Sequence, residues 1–228
     1  MTADVEAIDL AIVGGGPAGL AAAEAAAERL GGEARSVVFE AKPSLGRKLL
    51  MAGKSGLNIT HSGPLERFLG RYRATAPALL AALREFPPEA LRDWMEGLGQ
   101  EAFVGSSGRV FPKAMKASPL LRAWIARLKE MGVEIRPRWR WRGVEGAALL
   151  FETLAGARRV SARAAVFTLG GASWPRLGSD GAWRGGLAEL GVPTERFRPS
   201  NIGWRGPWSA HFRERFAGRI CQFAHDIT

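Results

Sequence analysis

The chain has 228 residues, which allows one large domain or two modest ones and excludes a disulfide-stabilised miniprotein. Its apolar content of 46% and charged content of 24% exclude a disordered or fibrous chain. The net charge of +10 lies entirely in the second half, because residues 1–114 carry 13 basic and 13 acidic side chains, whereas residues 115–228 carry 19 and 9. Apolar runs such as residues 10–13 are far shorter than the roughly 20 residues of a membrane span, and Cys221 is the only cysteine. We therefore expect a cytoplasmic protein without a membrane partner.

The first predicted element is a βαβ unit. Residues 8–13 are apolar apart from one aspartate and are followed by three glycines, as in a short buried strand. Residues 17–30 begin with proline, are rich in alanine and end before Gly31-Gly32, as expected of a helix. Residues 36–39 form a second apolar run, which ends at Glu40. The two strands are expected to be parallel and joined by a right-handed crossover.

The turn between this strand and this helix carries the spacing Gly14-x-Gly16-x-x-Gly19. In that setting the first glycine permits a tight turn, the second lets a pyrophosphate approach the backbone, and the third lets helix and strand pack closely. Glu40 lies 21 positions after Gly19, at the end of the next strand, where it can accept hydrogen bonds from an adenosine ribose. It disfavours NADP at this site but leaves NAD and FAD open. The predicted nucleotide contacts are Gly14, Gly15, Gly16, Pro17, Ala18, Gly19, Glu40, Ala41 and Lys42.

Residues 41–63 are rich in glycine, lysine and serine and show no clear period, so we expect a long loop there. Long loops inside a compact domain are usually functional or disordered. The cations and short polar side chains of this loop can surround a phosphate and hydrogen-bond a polar ring edge. The alternative is a mobile basic surface loop. The predicted contacts with the pyrophosphate, ribityl chain or flavin ring are Arg47, Lys48, Ser55, Gly56, Asn58 and Thr60.

The remaining elements favour a flavoprotein over a simple NAD-binding domain. In chain order we first expect two or three helices in residues 64–98, strand-like residues 102–112, and a helix over 118–131 capped by Ser118. An antiparallel meander follows, made of residues 133–144, 148–153 and 158–162. A buried strand over 164–169, which ends at Gly170-Gly171, and a helix over 181–190 complete the series. In a simple NAD domain the second strand leads quickly into another helix, whereas here a long loop intervenes and a meander follows. Gly170 and Gly171 follow a buried strand, so we expect them beside the flavin.

Four arginines in the first meander segment, at positions 136, 138, 140 and 142, alternate with Pro137, Trp139 and Trp141. A nucleic-acid reader would direct such arginines to phosphates and the aromatic rings to bases. The favoured alternative is a strand with its tryptophans packed inward and its arginines solvated, with a backbone contact between Trp141 and the adenine. A nucleic-acid partner is therefore disfavoured. His61, His211 and His225 have no metal-ligand spacing, so no metal site is predicted.

Four blocks of the sequence, residues 13–20, 46–61, 108–124 and 169–183, occur in the order found in one group of flavoproteins. In these blocks the chain resembles the BaiN-like, or YhiN-type, family of bacterial NAD(P)/FAD-dependent oxidoreductases. The resemblance implies bound FAD, held by the Gly14–Gly19 turn, Glu40, the loop from Arg47 to Thr60 and the Gly170-Gly171 turn. One relative reduces a conjugated double bond of a bile-acid ketone.

The sequence departs from that family in two places. Many relatives have Gly-Gly-Gly-Arg-Cys-Asn at residues 53–58, where this chain reads Gly-Lys-Ser-Gly-Leu-Asn, so no role for a thiol is expected there. Relatives are also longer, and their C-terminal part returns to the FAD domain. We therefore expect a C-terminally incomplete member, with an FAD-binding domain over residues 1–190 and the beginning of a substrate or cap domain over 191–228.

These observations predict an α/β protein with a doubly wound, Rossmann-type FAD-binding domain and a β-meander. Its predicted function is that of an FAD-dependent oxidoreductase, which passes hydride from NAD(P)H through the flavin to a small organic acceptor. The substrate, the catalytic side chains and the oligomeric state are left open. Three alternatives stand beside it: a nucleic-acid-associated basic flavoprotein, a single-domain NAD-dependent dehydrogenase, and a fragment that holds no cofactor.

Overall fold

The computed structural model describes residues 5–54, 56–72, 77–198, 207 and 209–216. The chain divides into two units, Met1–Glu195 and Arg196–Thr228. The strands are β1 Val5–Val13, β2 Ser36–Glu40, β3 Thr60–His61, β4 Ala102–Val104, β5 Arg109–Pro112, β6 Glu134–Pro137, β7 Arg140–Glu145, β8 Ala148–Thr153 and β9 Gly156–Phe167. The helices are α1 Pro17–Leu30, α2 Arg47–Ala52, α3 Leu65–Leu69, α4 Pro77–Glu85, α5 Pro88–Gly97, α6 Ala117–Glu130, α7 Trp183–Glu189 and, in the second unit, α8 Ala210–Phe216.

A six-stranded sheet in the order β6-β2-β1-β9-β8-β7 forms the centre of the first unit. Strands β6, β2, β1 and β9 are parallel, whereas β9, β8 and β7 form an antiparallel meander. β1 lies between β2 and β9, and its last residue, Val13, is opposite Phe39 and Phe167. This mixed, parallel-dominated sheet confirms the α/β, Rossmann-type prediction. A small sheet in the order β3-β5-β4 is separate from it.

One face of the large sheet is covered by helices. Apolar side chains of α1, α5 and α6, including Leu20, Met95 and Leu128, pack with Ile12 and Val38 of the sheet in one buried cluster. The alanines of α1 leave little bulk between helix and sheet, which lets the helix lie close to the strands. This close packing positions the N-terminus of α1 at the end of β1.

A buried carboxylate joins the three helices of this face. Glu24 of α1 is only 5% exposed and accepts hydrogen bonds from Trp94 Nε1 at 3.0 Å, Trp124 Nε1 at 2.6 Å and an Arg127 guanidinium nitrogen at 2.9 Å. The two indole rings meet edge to face, with centroids 4.7 Å apart. Burying a carboxylate is costly unless it is fully hydrogen-bonded, and here two neutral donors and one cation satisfy it.

On the other face, aromatic side chains of the meander pack against those of the parallel strands. Phe39 at the end of β2 stacks on Phe151 of β8 with centroids 4.4 Å apart, and Trp139 lies 5.3 Å from Phe39. Trp141 of β7 packs edge to face on Phe167 of β9, with centroids 5.0 Å apart. The prediction that these tryptophans pack inward is confirmed.

The predicted strand over residues 133–144 is wrong, because the structure divides it in two. β6 pairs parallel with β2, whereas β7 pairs antiparallel with β8. The division lies at Arg138, whose φ of +64° is incompatible with an extended strand. The backbone N–H groups of Arg138 and Trp139 donate instead to the carbonyls of Lys42 and Glu40. The arginines of this segment therefore do not share one face.

An ion-pair network at the edge of the sheet accounts for one of these arginines. Arg136 donates to both carboxylate oxygens of Glu6, at 2.6 and 2.7 Å, and to Glu134 at 2.7 Å. Arg35 also contacts both carboxylates. The hydrogen bonds from Arg136 lower the pKa of Glu6 to about 2, with burial opposing and Arg35 assisting. Burial raises the pKa of Glu134, but the bonds from Arg136 and Arg35 outweigh this effect and lower it. The Arg136 side chain is 14% exposed, so the expectation that it is solvated is wrong.

Four other expectations are corrected. The predicted strands over 158–162 and 164–169 are one strand, β9, which pairs with β8 as far as Ser161 and with β1 as far as Phe167. Residues 164–166 of this strand are exposed, so the expectation of a buried strand over 164–169 is wrong. The expected loop over 41–63 contains α2 and β3. Ser118 does not cap α6, because that helix begins at Ala117 and Lys116 precedes it.

Candidate functional site

The carboxyl ends of β1, β2 and β9 border a cavity of about 770 Å³. Parallel sheets of this kind bind ligands at that edge, where the strand order reverses. α2, β7 and the segment up to α7 supply the remaining walls. The predicted site residues that line it are Gly14, Gly15, Gly16, Pro17, Ala18, Glu40, Ala41, Arg47, Lys48, Trp141 and Gly170.

The three glycines of the fingerprint are required for three different reasons. Gly14 has φ +118°, and a Cβ added there would lie 2.4 Å from the carbonyl oxygen of Thr168. A Cβ on Gly19 would lie 1.8 Å from the carbonyl oxygen of Gly14, so the helix can approach the turn only without a side chain. A Cβ on Gly16, in contrast, would meet no atom of the described residues within 4 Å. The cavity therefore opens over Gly16, at the N-terminus of α1.

The Glu40 carboxylate is held in place by the backbone around it. The N–H of Gly15 donates to Oε2 at 2.8 Å, and the N–H of Lys42 donates to Oε1 at 2.7 Å. A carboxylate can accept about four hydrogen bonds, so each oxygen retains capacity for a ligand hydroxyl. Glu40 thus joins the glycine turn to the end of β2 while it borders the cavity.

Thr168 is a site residue that sequence reasoning missed. Its hydroxyl donates to the carbonyl of Gly14 at 2.9 Å and lies 3.1 Å from the carbonyl of Val13, and its N–H donates to Val13 at 2.9 Å. It therefore fixes the end of β9 against the glycine turn. Its place near the end of the predicted strand over 164–169, just before Gly170-Gly171, was the available signal.

A second group of polar contacts holds the segment after β9 against α2. Lys48 Nζ donates to the hydroxyls of Ser173 at 3.1 Å and Ser179 at 3.3 Å. Ser179 is 4% exposed and donates to the carbonyl of Gly171 at 2.8 Å. Trp183 Nε1 donates to the carbonyl of Gly170 at 3.0 Å. Gly171 thus supports this segment but does not line the cavity.

Two buried donors beside the cavity are left unpaired. Trp141 Nε1 and Arg47 Nε are both inaccessible to solvent, and neither has a hydrogen-bond partner among the described residues. Another nitrogen of Arg47 donates to the hydroxyl of Ser44 at 3.2 Å. Arg159 Nε, on a residue that does not line the cavity, is likewise buried without a partner among the described residues, so such donors do not by themselves mark a ligand site.

The other predicted contacts lie away from the cavity wall. Gly19 packs under the glycine turn, and Lys42 lies against Gly178. Gly56, Asn58 and Thr60 do not line the cavity; Thr60 pairs with Val110 in the small sheet. When its amide oxygen and nitrogen are exchanged, as the surrounding acceptors require, Asn58 donates to the carbonyls of both these residues. Ser55 lies outside the described residues, as do Cys221 and His225.

Neither a metal centre nor a membrane span is found within the described ranges. No three histidine, cysteine, aspartate or glutamate side chains in them are grouped so as to hold a metal ion. None of the described helices has both the length and the apolar character that crossing a membrane requires.

Residues 8–196 match the family model described as the HI0933-like protein Rossmann domain. The chain belongs to the HI0933-like family. A curated relative, the 3-dehydro-bile acid delta(4,6)-reductase of Clostridium scindens, is 28% identical over 175 residues, which cover 76% of this chain and 41% of that protein. The chain thus spans about two fifths of the length of this relative. The narrower BaiN-like resemblance stays a prediction.

Solved structures agree with the HI0933-like assignment at the level of the fold. A flavocytochrome c3 fumarate reductase matches with a TM-score of 0.57 and 19% identity over 73% of this chain and 34% of that chain. The 3-ketosteroid-delta4-(5alpha)-dehydrogenase of Rhodococcus jostii RHA1 matches with a TM-score of 0.55 and 14% identity over 75% of this chain and 47% of that chain. Family and fold together confirm the predicted Rossmann-type α/β domain.

Proposed function

We propose that this chain holds FAD in the cavity at the ends of β1, β2 and β9 and forms the FAD-binding part of an oxidoreductase. The observation that carries the proposal is the glycine turn, in which Gly14 and Gly19 admit no side chain while Gly16 opens onto the cavity. FAD, when bound, supplies the capacity to accept and release hydride.

Each part of the cavity has a separate role in the proposal. The backbone N–H groups at the start of α1 receive the pyrophosphate beside Gly16, where the helix dipole favours negative charge. Glu40 accepts from the ribose of the adenosine half. Arg47 and Lys48 add positive charge to the cavity wall, and Lys48 also positions Ser173 and Ser179.

The proposal also covers the electron donor and the acceptor. We propose NAD(P)H as the electron donor and a small organic molecule as the acceptor, in a cytoplasmic protein. The curated relative is named as a reductase of a 3-dehydro-bile acid, which supports an organic acceptor without naming the one used here. We also propose that residues from about 191 onward begin a substrate or cap domain.

The charge of the second half gives little support to the nucleic-acid alternative. Five arginines of this half lie beside carboxylates. The pairs are Arg136 with Glu6, Arg142 with Glu152, Arg159 with Glu145, Arg163 with Asp9, and Arg140 with Asp180 at 3.8 Å. Paired arginines have less capacity to neutralise phosphates than the sequence count indicates. The NAD alternative needs a direct test.

The proposal is tested by identifying the ligand that the purified chain carries and rebinds. We expect FAD in an acid extract, and a flavin absorbance spectrum when the ligand-free protein is mixed with FAD. Gly16→Val is expected to fold, because the added atoms enter open space, and to lose FAD binding. Gly185→Ala, another substitution into open space but outside the cavity wall, is the control and should bind FAD normally. Binding of NAD without FAD, or of neither, would overturn the proposal.

A further inference from the structure

Arg140 is a charged residue of the cavity wall that a ligand can reach. It begins β7 and lines the cavity together with Asp180, which belongs to the segment before α7. A guanidinium nitrogen of Arg140 lies 3.8 Å from a carboxylate oxygen of Asp180, and the two side chains are 38% and 39% exposed. That distance is beyond the range of a hydrogen bond, so the contact is a loose ion pair at the surface of the cavity.

The carboxylate opposite Arg140 in the sheet is already used by another arginine. Arg140 is paired with Glu152 across the ladder of β7 and β8, and opposite charges at such positions normally attract each other. Glu152, however, accepts two hydrogen bonds from the guanidinium of Arg142. Among the carboxylates of the described residues, Arg140 therefore has only the looser contact with Asp180.

Arg136, at the edge of the same sheet, shows how a guanidinium is used completely in this protein. Its nitrogens donate to Glu6 and Glu134, and its planar face lies over the ring of Trp139, with the central carbon 4.9 Å from the ring centroid. Arginine can make both contacts because its guanidinium is planar and only weakly hydrated. Arg140 has a carboxylate near one nitrogen, but no aromatic ring of the described residues lies over its face. Its face is therefore available for a ring of the ligand.

The start of β7 lies at the end of the cavity assigned to the adenosine. The backbone N–H of Trp139, which precedes Arg140, donates to the carbonyl of Glu40 at 2.9 Å. The carboxylate of Glu40 is the group proposed to accept from the adenosine ribose. Adenine is attached to that ribose, and its π-face can stack on a guanidinium. The adenine therefore falls in the part of the cavity that Arg140 borders.

We propose that the guanidinium of Arg140 stacks on the adenine ring of the bound dinucleotide, while Asp180 restrains it from the side, and so contributes to the selection of an adenine dinucleotide. This contact rests on the proposed FAD site but is separate from it, because FAD could bind through the glycine turn and Glu40 without it. Arg140 thus binds the cofactor and takes no part in hydride transfer.

The test compares Arg140→Gln, which removes the charge, with Arg140→Lys, which keeps the charge but has no planar group to stack. The full chain, as wild type and as each variant freed of ligand, is titrated with FAD and separately with ADP. We expect the dissociation constants for both ligands to rise by about 10-fold in both variants, as for loss of one cation–π contact. The melting temperatures without ligand should stay close to that of wild type, because an exposed ion pair contributes little to stability.

A matched control separates this contact from a general effect of charge. Arg159→Gln removes an arginine of the same meander that pairs with Glu145 at 3.1 Å and does not line the cavity, so we expect unchanged affinities for FAD and ADP. Wild-type affinity for FAD in either Arg140 variant would overturn the inference, because charge alone, or neither charge nor stacking, would then be needed. A weaker affinity for FAD without a weaker one for ADP would also overturn it, as would an equal loss in Arg159→Gln. Failure of the wild type to bind FAD would instead overturn the proposed function.

Discussion

The two faces of the large sheet treat buried polar groups in opposite ways. On the helical face the carboxylate of Glu24 is surrounded by donors, so that Trp94, Trp124 and Arg127 are all paired inside the protein. On the aromatic face, near the ends of the strands, the indole N–H of Trp141 is buried and has no partner among the described residues. The same residue type thus completes a buried hydrogen-bond network on one face and is left without a partner there on the other.

This difference shows how a stable domain can contain buried polar groups that have no hydrogen-bond partner. Pairing on the helical face stabilises the protein, and this stability offsets a cost of about 1–3 kcal/mol per unpaired group on the other face. Changes on the helical face should therefore alter stability more than cofactor affinity. Changes in the cavity wall should alter cofactor affinity more than stability.

The largest expected effect comes from Gly19, the residue of α1 that packs against the glycine turn. Gly19→Ala would bring a Cβ to 1.8 Å from the carbonyl oxygen of Gly14, so α1 and the glycine turn must move apart. We expect a loss of about 3 kcal/mol or more in the free energy of unfolding, measured by urea denaturation, together with loss of FAD binding. Gly185→Ala is the control and should change stability by less than about 1 kcal/mol. Wild-type stability of Gly19→Ala would contradict the close approach of helix and turn.

The next largest effect is expected within the helical face. Glu24→Ala leaves two indole N–H groups and the Arg127 guanidinium without their acceptor, so we expect a loss of about 2–4 kcal/mol in the free energy of unfolding. The variant that remains folded should bind FAD with wild-type affinity. Glu28→Ala, at an exposed position of the same helix, should change stability by less than about 0.5 kcal/mol. A weaker FAD affinity in Glu24→Ala with no loss of stability would contradict the expectation that changes on the helical face act mainly on stability.

A smaller effect is expected for a paired group of the cavity wall. Ser179→Ala removes the bond to Gly171 and one acceptor of Lys48, which should lower the free energy of unfolding by about 1 kcal/mol. Ser173→Ala, which removes the other acceptor of Lys48 at an exposed position, should cost less than about 0.5 kcal/mol. Thermal denaturation of both ligand-free variants distinguishes these values. Equal effects would show that burial of Ser179 adds nothing.

The smallest expected effect extends the comparison to the charged edge of the sheet. The pKa of Glu6 is lowered to about 2 in the folded protein by Arg136, so its ion pairs stabilise the fold fully above the unfolded pKa and are lost as the pH falls toward 2. Because Glu6 is partly exposed, solvent screening reduces the contribution to about 1 kcal/mol. Urea denaturation should therefore show wild type more stable than Glu6→Gln at about pH 6 and nearly equal to it at about pH 2. A difference that grows on acidification would contradict this assignment.

Local sequence signals predicted the first part of the molecule well. The helix over residues 17–30 was predicted with its observed bounds, and the strands on either side differ from the observed ones by a few residues at most. The structure of this part depends on three glycines, an alanine-rich stretch and Glu40, which act on residues close to them. The local sequence is therefore enough to predict it. The cavity-lining role of the glycine turn follows from the same signals.

Predictions failed where distant residues decide the backbone. Residues 133–144 alternate like one strand, but bonds from Arg138 and Trp139 to the end of β2 divide it, and no local pattern encodes those partners. β9 was predicted as two strands because no single period describes a strand that is antiparallel to one neighbour and parallel to the other. Glu24 and Thr168 were missed for a similar reason, since their partners lie 70 to 155 positions away.

The contact between Thr168 and Gly14 joins residues 154 positions apart, and this separation has a consequence for biosynthesis. At about 5–20 residues per second, a ribosome needs roughly ten to thirty seconds to make the intervening chain. During that interval the glycine turn has been synthesised but lacks the strand that supports it, and the apolar edge of β1 has no partner on that side. The nucleotide site must therefore be completed late, after β9 has emerged. A nascent chain of this protein should consequently depend on chaperones more than its short βαβ unit alone indicates.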